Sequence, residues 1–331
     1  MRNTAQLLQW FQTQKRALPW RQRSDMYARW LSEIILQQTR VNQGVAYYSN
    51  FVETYPTVEH LAAETEENVL KMWQGLGYYS RARNLHKTAK IIAFEHNGSF
   101  PQSYKELLKL PGIGKYTAGA LASIVAGEPV PAIDGNALRV YSRYYGIKQD
   151  ISEATSFKTF FDIGLEAIPV NKAGDFNEAI MELGSTICLP KNPLCHQCPL
   201  QSNCYAYAYN QQHSLPVKSS KIKVREESID YLVFHKKGHV LFHHRKNKGI
   251  WQNLYDFPTS SMLPISVVQE STPLQEITHL LTHKKLQIAF YPMQEEFVES
   301  IPHNCRWIEK DQIGLLPVPK PIADFLEKHI L

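Results

Sequence analysis

The stretch Leu110-Pro111-Gly112-Ile113-Gly114-Lys115-Tyr116-Thr117-Ala118-Gly119 decides the first half of the fold. Two glycines two residues apart permit a tight turn whose backbone N–H groups point outward. The small, alanine-rich run from Ala118 begins the next helix, so the positive end of that helix faces the same way. Such a turn binds a phosphate without reading sequence. Gly-x-Gly alone also fits a plain connection between two helices. The preceding Leu-Pro and the following Lys-x-Thr-Ala make the segment a helix-hairpin-helix over 110–119, with Gly112, Gly114 and Lys115 as its phosphate-binding residues.

Outward from this turn, residues 1–207 read as helices. Apolar positions recur at helical spacing in Leu7, Leu8, Trp10 and Phe11, and again in Trp30, Leu31, Ile34 and Ile35. Asp25 is placed to cap the second of these helices, and Pro56-Thr57 and Pro101-Gln102-Ser103 punctuate later ones. The texture changes over 208–228, a polar stretch with Pro216, Lys218, Lys221, Lys223 and Arg225 that reads as a linker, either solvated or lying along phosphates. From 229 to 331 strand signals take over. Asp230–Phe234 and His239–Phe242 flank a Lys-Lys-Gly turn and predict a hairpin, Leu286–Tyr291 and Glu296–Val298 predict further strands, and Pro321–Leu331 predicts a closing helix. The expected fold is mainly α in the first region and α+β in the second.

Cys188, Cys195, Cys198 and Cys204 fall as C-x6-C-x2-C-x5-C, and one further cysteine, Cys305, stands alone in 331 residues. Four thiolates in one loop, 188–204, form the ligand set of a tetrahedral zinc or a four-iron cluster. Two local disulfides are the alternative, but the opening MRNTAQLLQWFQTQ offers no secretory signal, and reduced thiols favour metal. Zinc sites pair two short C-x2-C knuckles, whereas this loop has one x2 gap, which suits an iron–sulfur cluster better. With 44% hydrophobic residues the chain supports full cores, and no apolar run is long enough to span a membrane. A net charge of +5 is compatible with a polyanionic partner without requiring one.

Two carboxylates are candidates for chemistry. Glu33 lies among Trp30, Leu31, Ile34, Ile35 and Leu36 on an apolar helix. It is either a solvated helical glutamate or a carboxyl raised by apolar neighbours into the range of a general acid. Asp134 precedes Gly135 and Asn136, where an aspartate ordinarily forms a turn or a helix N-cap. Near a phosphate-binding turn it could also stabilise an oxocarbenium-like sugar as a glycosidic bond breaks.

Trp30–Thr39, the run Gly75-Leu76-Gly77-Tyr78-Tyr79-Ser80-Arg81-Ala82-Arg83-Asn84-Leu85, the helix-hairpin-helix, Asp134 and the cysteine loop together resemble MutY-type adenine DNA glycosylases. These belong to the helix-hairpin-helix base-excision superfamily, with endonuclease III. The resemblance covers nearly the whole chain. It implies that Glu33 protonates adenine at N7 and that Asp134 stabilises the resulting cation, supported by Asn136 and Tyr116. It further implies a base pocket of Trp20, Arg21, Leu36 and Glu178, a wedge of Gln38 and Tyr78 that fills the gap left by an extruded base, and Lys191 as a phosphate ligand. Bifunctional relatives carry a lysine where this chain has Tyr116, and a phenol cannot form the Schiff base. A monofunctional enzyme is therefore expected.

Leu241–Arg245 and Gly249–Pro258 resemble the Nudix-like C-terminal domain of the same enzymes, so 229–331 is expected to read 8-oxoguanine opposite the adenine. Between Pro258 and His279 only Glu270 and Glu276 are available to hold magnesium, and no pyrophosphatase activity is expected. The segment matching the reading loop is His279–His283, where relatives carry Phe-Ser-His and this chain carries Leu281, Thr282 and His283. The hydroxyl and the ring donor survive and the aromatic is lost. The resemblance implies one 4Fe-4S cluster, double-stranded DNA holding adenine opposite 8-oxoguanine or guanine as partner, a monomer, and a place in the cytoplasm on the nucleoid. The rival readings are an endonuclease III-like glycosylase/lyase, a mismatch thymine glycosylase, and a non-catalytic DNA-binding protein that carries a cluster.

Overall fold

The computed structural model describes residues 1–219, 224–262, 272–294, 301 and 303–331. The chain forms two compact units, Met1–Ala62 with Lys87–Ser220 and Ala63–His86 with Lys221–Leu331. Lys221, Lys223, Glu270 and the strand expected at 296–298 lie outside the described residues.

The helices run in chain order as α1 (Thr4–Gln14), α2 (Met26–Leu36), α3 (Val41–Thr54), α4 (Val58–Ala63), α5 (Glu66–Met72) and α6 (Ser80–Glu95). They continue as α7 (Tyr104–Leu107), α8 (Lys115–Ile124), α9 (Gly135–Tyr145), α10 (Ser156–Ala167), α11 (Ala173–Thr186) and α12 (Tyr205–Ala208). Asp25 caps α2 as expected, its Oδ1 accepting from the Ala28 N–H at 2.8 Å. From Met26 to Ile35 every residue of α2 is buried. A helix buried all round lies in the interior of its unit, so any charge on it must find a partner there.

Close approaches of backbone place the residues around Asp134. A Cβ at Gly119 of α8 would stand 2.4 Å from the Pro131 carbonyl oxygen, and one at Gly184 of α11 would stand 2.5 Å from Asn136 Cβ. Only glycine lets the 130–134 segment and the start of α9 come in so tightly. Asn177 of α11, 1% exposed, then locks the segment: it accepts from Ala132 N–H at 3.1 Å and donates to the Val130 carbonyl at 2.9 Å and Ser123 Oγ at 2.8 Å. The apolar core beneath contains Leu7 and Phe11 of α1, Tyr141 of α9 and Phe176 of α11.

The second unit carries β1 (Arg225–Lys236), β2 (His239–His244), β3 (Tyr255–Asp256), β4 (Gln275–Leu280), β5 (Lys284–Met293), β6 (Cys305–Glu309), α13 (Lys310–Ile313) and α14 (Lys320–His329). The strand order is β3-β2-β1-β5-β4, with β6 also paired to β2. β1 and β5 run parallel and the other pairs antiparallel. The β1–β2 hairpin turns at Lys237 (φ 42°) and Gly238 (φ 82°), two left-handed residues of the kind a two-residue hairpin needs. β1 starts at Arg225, paired with Lys284, because the polar residues before Asp230 are held by ladder bonds rather than by burial. The stretch read as linker over 208–228 therefore overlaps the strand. Phe290 of β5 stacks on Phe325 of α14 at 4.1 Å and closes the core on one face.

Candidate active site

Glu33 is 4% exposed, yet its surroundings are not the apolar ones its sequence neighbours suggested. Tyr116 of α8 donates its hydroxyl to Glu33 Oε2 at 2.6 Å, and Arg29 Nε donates to Oε1 at 2.9 Å. Burial first, and then the charges of Glu33 and Asp134, hold the Tyr116 phenol well above its ordinary range, so it stays protonated and acts as a donor. Its oxygen also lies 3.2 Å from Met181 Sδ of α11.

Asp134 is the N-cap of α9, with Oδ1 accepting from Ala137 N–H at 2.7 Å and Oδ2 from Asn136 Nδ2 at 2.7 Å. The structural role that an Asp-Gly pair suggests is real, and the same carboxylate also feels Glu33 and Tyr116. Burial pushes the Asp134 carboxyl above the usual range, the two hydrogen bonds pull it back, and Glu33 adds to the rise. Asn136 is held in turn by Arg139, whose Nη2 donates to Asn136 Oδ1 at 2.8 Å.

Behind Glu33 runs a line of alternating charge. Arg29 Nη1 donates to Glu178 Oε1 at 2.8 Å, and Arg21 donates through Nε to Glu178 at 3.1 Å and through Nη2 to Glu182 at 3.0 Å. Arg16 closes the line on Glu182 through Nε at 2.7 Å and Nη2 at 2.9 Å. Burial alone would raise Glu178 and Glu182, but Arg29 and Arg21 at the first, and Arg16 and Arg21 at the second, outweigh it and hold both below the ordinary carboxylate range. Groups with depressed folded-state values stabilise the fold above their unfolded titration range, and that contribution disappears as pH falls through the folded values. Thermal melts on lowering pH should therefore show Glu182→Gln losing less stability than the unsubstituted protein below about pH 4, since the variant lacks one of these groups.

The structure brings Glu33, Tyr116, Asp134, Asn136, Arg21 and Glu178 into one connected region. Trp20 packs edge-on against Tyr48 at 5.5 Å, and Leu36 ends α2 against Gly44. Arg29, Glu182 and Met181 were missed by sequence reasoning. Arg29 lies four residues before Glu33 and Glu182 four after Glu178, and that helical spacing is the signal that could have found them.

At the glycine turn, Gly112 is left-handed (φ 76°) and Gly114 is the N-cap of α8, with Gly112, Gly114 and Lys115 exposed. Lys115 Nζ sits over the Phe157 ring at 4.3 Å, while its neighbour Tyr116 enters the site. Gln38, exposed, also has a left-handed backbone (φ 59°).

In the second unit the Gly75–Tyr78 loop contains three left-handed residues, Gly75, Gly77 and Tyr78. Trp73 Nε1 and Arg81 Nη2 bind the Gly77 carbonyl at 3.1 and 3.2 Å and hold the loop in this shape. Tyr78, 46% exposed, hydrogen-bonds through its hydroxyl to Thr282 Oγ1. Leu281, Thr282 and His283 form the turn between β4 and β5, and with Tyr78, Trp251 and His279 they line a cleft of about 590 Å³. Trp251 packs on His279 with ring centroids 5.9 Å apart, which supplies aromatic surface beside Leu281. Glu276, one of the two glutamates the magnesium argument rested on, lies exposed on strand β4 rather than on a helix.

Cys188, Cys195, Cys198 and Cys204 are all free and line one small cavity with Arg143. Burial pushes the Cys198 thiol up to about 12, and the neighbouring thiols add to the rise, so four thiolates here require positive charge of the kind iron supplies. Arg143, 3% exposed, donates to Cys188 Sγ at 3.3 Å and to the carbonyls of Leu189, Pro190 and Leu215 at 2.7, 3.1 and 3.0 Å. Arg139 donates to the Cys188 carbonyl at 2.7 Å, so α9 touches the cysteine loop at one end and carries Asp134 at the other. Neither arginine carries a local sequence signal. Lys191 is exposed within the loop. Among the described residues no group of three or more His, Cys, Asp or Glu is arranged to hold a metal ion as a set.

Comparison with known proteins agrees with this geometry. Residues 31–161 match the HhH-GPD superfamily of base excision DNA repair proteins, 188–204 the iron–sulfur binding domain of endonuclease III, and 231–328 the NUDIX domain. The chain is 32% identical to the adenine DNA glycosylase of Buchnera aphidicola subsp. Schizaphis graminum, over 97% of this chain and 96% of the relative. It is 31% identical to the human adenine DNA glycosylase, over 92% of this chain and 70% of that protein. Among solved structures, a thermostable thymine-DNA glycosylase superposes with a TM-score of 0.57 at 28% identity, covering 62% of this chain and 95% of that one. An endonuclease III–DNA covalent intermediate shares the fold, with a TM-score of 0.55 at 22% identity over 63% of this chain and 96% of that one. No described helix is long and apolar enough to cross a membrane. The chain belongs to the adenine DNA glycosylase family, a set of base-excision enzymes that hydrolyse N-glycosidic bonds in DNA, and it carries that family's iron–sulfur and Nudix-like domains.

Proposed function

We propose that the enzyme removes adenine mispaired with 8-oxoguanine or guanine, as a monofunctional glycosylase acting as a monomer on nucleoid DNA in the cytoplasm. Glu33 gives its proton to adenine N7, the C1′–N9 bond breaks with its electron pair passing to the base, and Asp134 stabilises the sugar cation until water adds and loses a proton. Tyr116 and Asn136 hold the two carboxylates by the hydrogen bonds described above. Trp20, Arg21, Leu36 and Glu178 surround the extruded base, and Gln38 and Tyr78 fill the gap it leaves. Gly112, Gly114, Lys115 and Lys191 bind phosphates.

The observation that carries this reading is Tyr116. A protonated phenol, bonded to Glu33 at 2.6 Å, stands at the position where bifunctional relatives carry a lysine, and the lysine next to it in sequence, Lys115, is turned onto Phe157. Borohydride added during turnover should trap no stoichiometric enzyme–DNA adduct. A stoichiometric adduct would contradict the proposal.

Leu281, Thr282 and His283 read 8-oxoguanine from the second unit, where Thr282 is hydrogen-bonded to the wedge residue Tyr78. The domain division proposed with it is a glycosylase region over 1–207 without Ala63–His86, a connector from 208 that gives way to β1 at Arg225, and a reader that runs on to 331. The cysteine loop holds one 4Fe-4S cluster. Bound by Cys188, Cys195, Cys198 and Cys204, the cluster would order the loop that presents Lys191 and that Arg139 and Arg143 tie to α9.

A further inference from the structure

Helix α2 carries two charges along its buried run, Arg29 and Glu33, four residues apart. An arginine only 5% exposed is costly unless all its donors are used, and here they are aimed at two acids. Nε and Nη2 both reach Glu33 Oε1 at 2.9 Å, and Nη1 reaches Glu178 Oε1 at 2.8 Å. Tyr116 of α8 takes the other oxygen, Oε2. The Glu33 carboxyl is thus gripped at both oxygens from two helices and cannot rotate freely. The charged and titratable groups facing it are Arg29 on α2, Tyr116 on α8 and Asp134 at the start of α9. Glu178 on α11 joins through Arg29, and Arg21 stands behind Glu178. Among three carboxylates in this region, Arg29 is the cation that touches Glu33.

We propose that Arg29 is a positioning residue for base release: its fork, reaching Glu33 Oε1 through two nitrogens, fixes the Glu33 carboxyl toward the base. The proposal rests on Glu33 being the acid, and the experiment separates the two ideas. Single-turnover adenine release and affinity for mispaired DNA are measured for the unsubstituted enzyme, R29M, R29K and E33Q, each rate normalised to DNA-binding-competent protein. Loss of folded enzyme is then not counted as loss of chemistry. R29M should lower the plateau rate about tenfold through loss of orientation, while affinity for mispaired DNA stays near that of the unsubstituted enzyme. R29K should not restore the plateau, since an ammonium supplies charge without the fork. An R29M rate equal to that of the unsubstituted enzyme, or an R29K rate restored to it, would overturn the proposal. Undiminished release by E33Q would instead remove Glu33 itself from the reaction.

Discussion

Glu33→Gln is expected to lower single-turnover adenine release by about 10²–10⁴-fold, the range a positioned general acid contributes, while leaving affinity for mispaired DNA nearly unchanged. The amide keeps the size and shape of the carboxyl, with one acceptor oxygen in place of two, and it holds no acidic proton to transfer. The fold should persist because Arg29, whose Glu33 partner is lost, still holds Glu178 at 2.8 Å, and Tyr116 can still donate to the amide oxygen. Loss of DNA binding together with loss of release would show that Glu33 holds the fold rather than performs chemistry. Retained binding with full release would show that it does neither.

Asp134→Asn is the second large effect, a loss of about 10²–10³-fold in release, the scale for removing one preorganised charge from a developing ion. This substitution separates the two roles of the residue. Asparagine caps helices about as well as aspartate, so the bond from Ala137 N–H to the cap survives and α9 should start where it does now. What disappears is the negative charge that the proposed mechanism sets against the sugar cation. Melting temperature near that of the unsubstituted protein, with release abolished, assigns the charge to catalysis. Coincident loss of stability and release would return Asp134 to the purely structural reading that its place before Gly135 first suggests.

Much of this site is legible in the chain because the signals are local. The apolar spacing of Trp30, Leu31, Ile34 and Ile35 gives α2, Asp25 gives its cap, and Gly112 and Gly114 give the turn before α8. The cysteine spacing gives the metal loop, and the Lys-Lys-Gly turn gives the β1–β2 hairpin. What stayed hidden depends on pairing across long stretches of chain. Nothing near Arg139 or Arg143 in sequence announces that they hold the carbonyls of Cys188, Leu189 and Pro190, some 46 residues on for Leu189. Apolar neighbours suggested an apolar setting for Glu33, whereas burial of α2 on every side forced its acid to find Arg29 and Tyr116. The association of Ala63–His86 with the C-terminal unit is invisible to a reading that moves along the chain, because it rests on tertiary contacts such as Tyr78 with Thr282 and Arg83 with the Gln252 carbonyl at 2.9 Å.

The central claim, adenine release directed by 8-oxoguanine, is tested most directly by single-turnover base release from three duplexes: adenine opposite 8-oxoguanine, adenine opposite guanine, and thymine opposite guanine. The account predicts free adenine from the first two, fastest opposite 8-oxoguanine, and no thymine from the third. Thymine release, or adenine release indifferent to the opposite base, would contradict it.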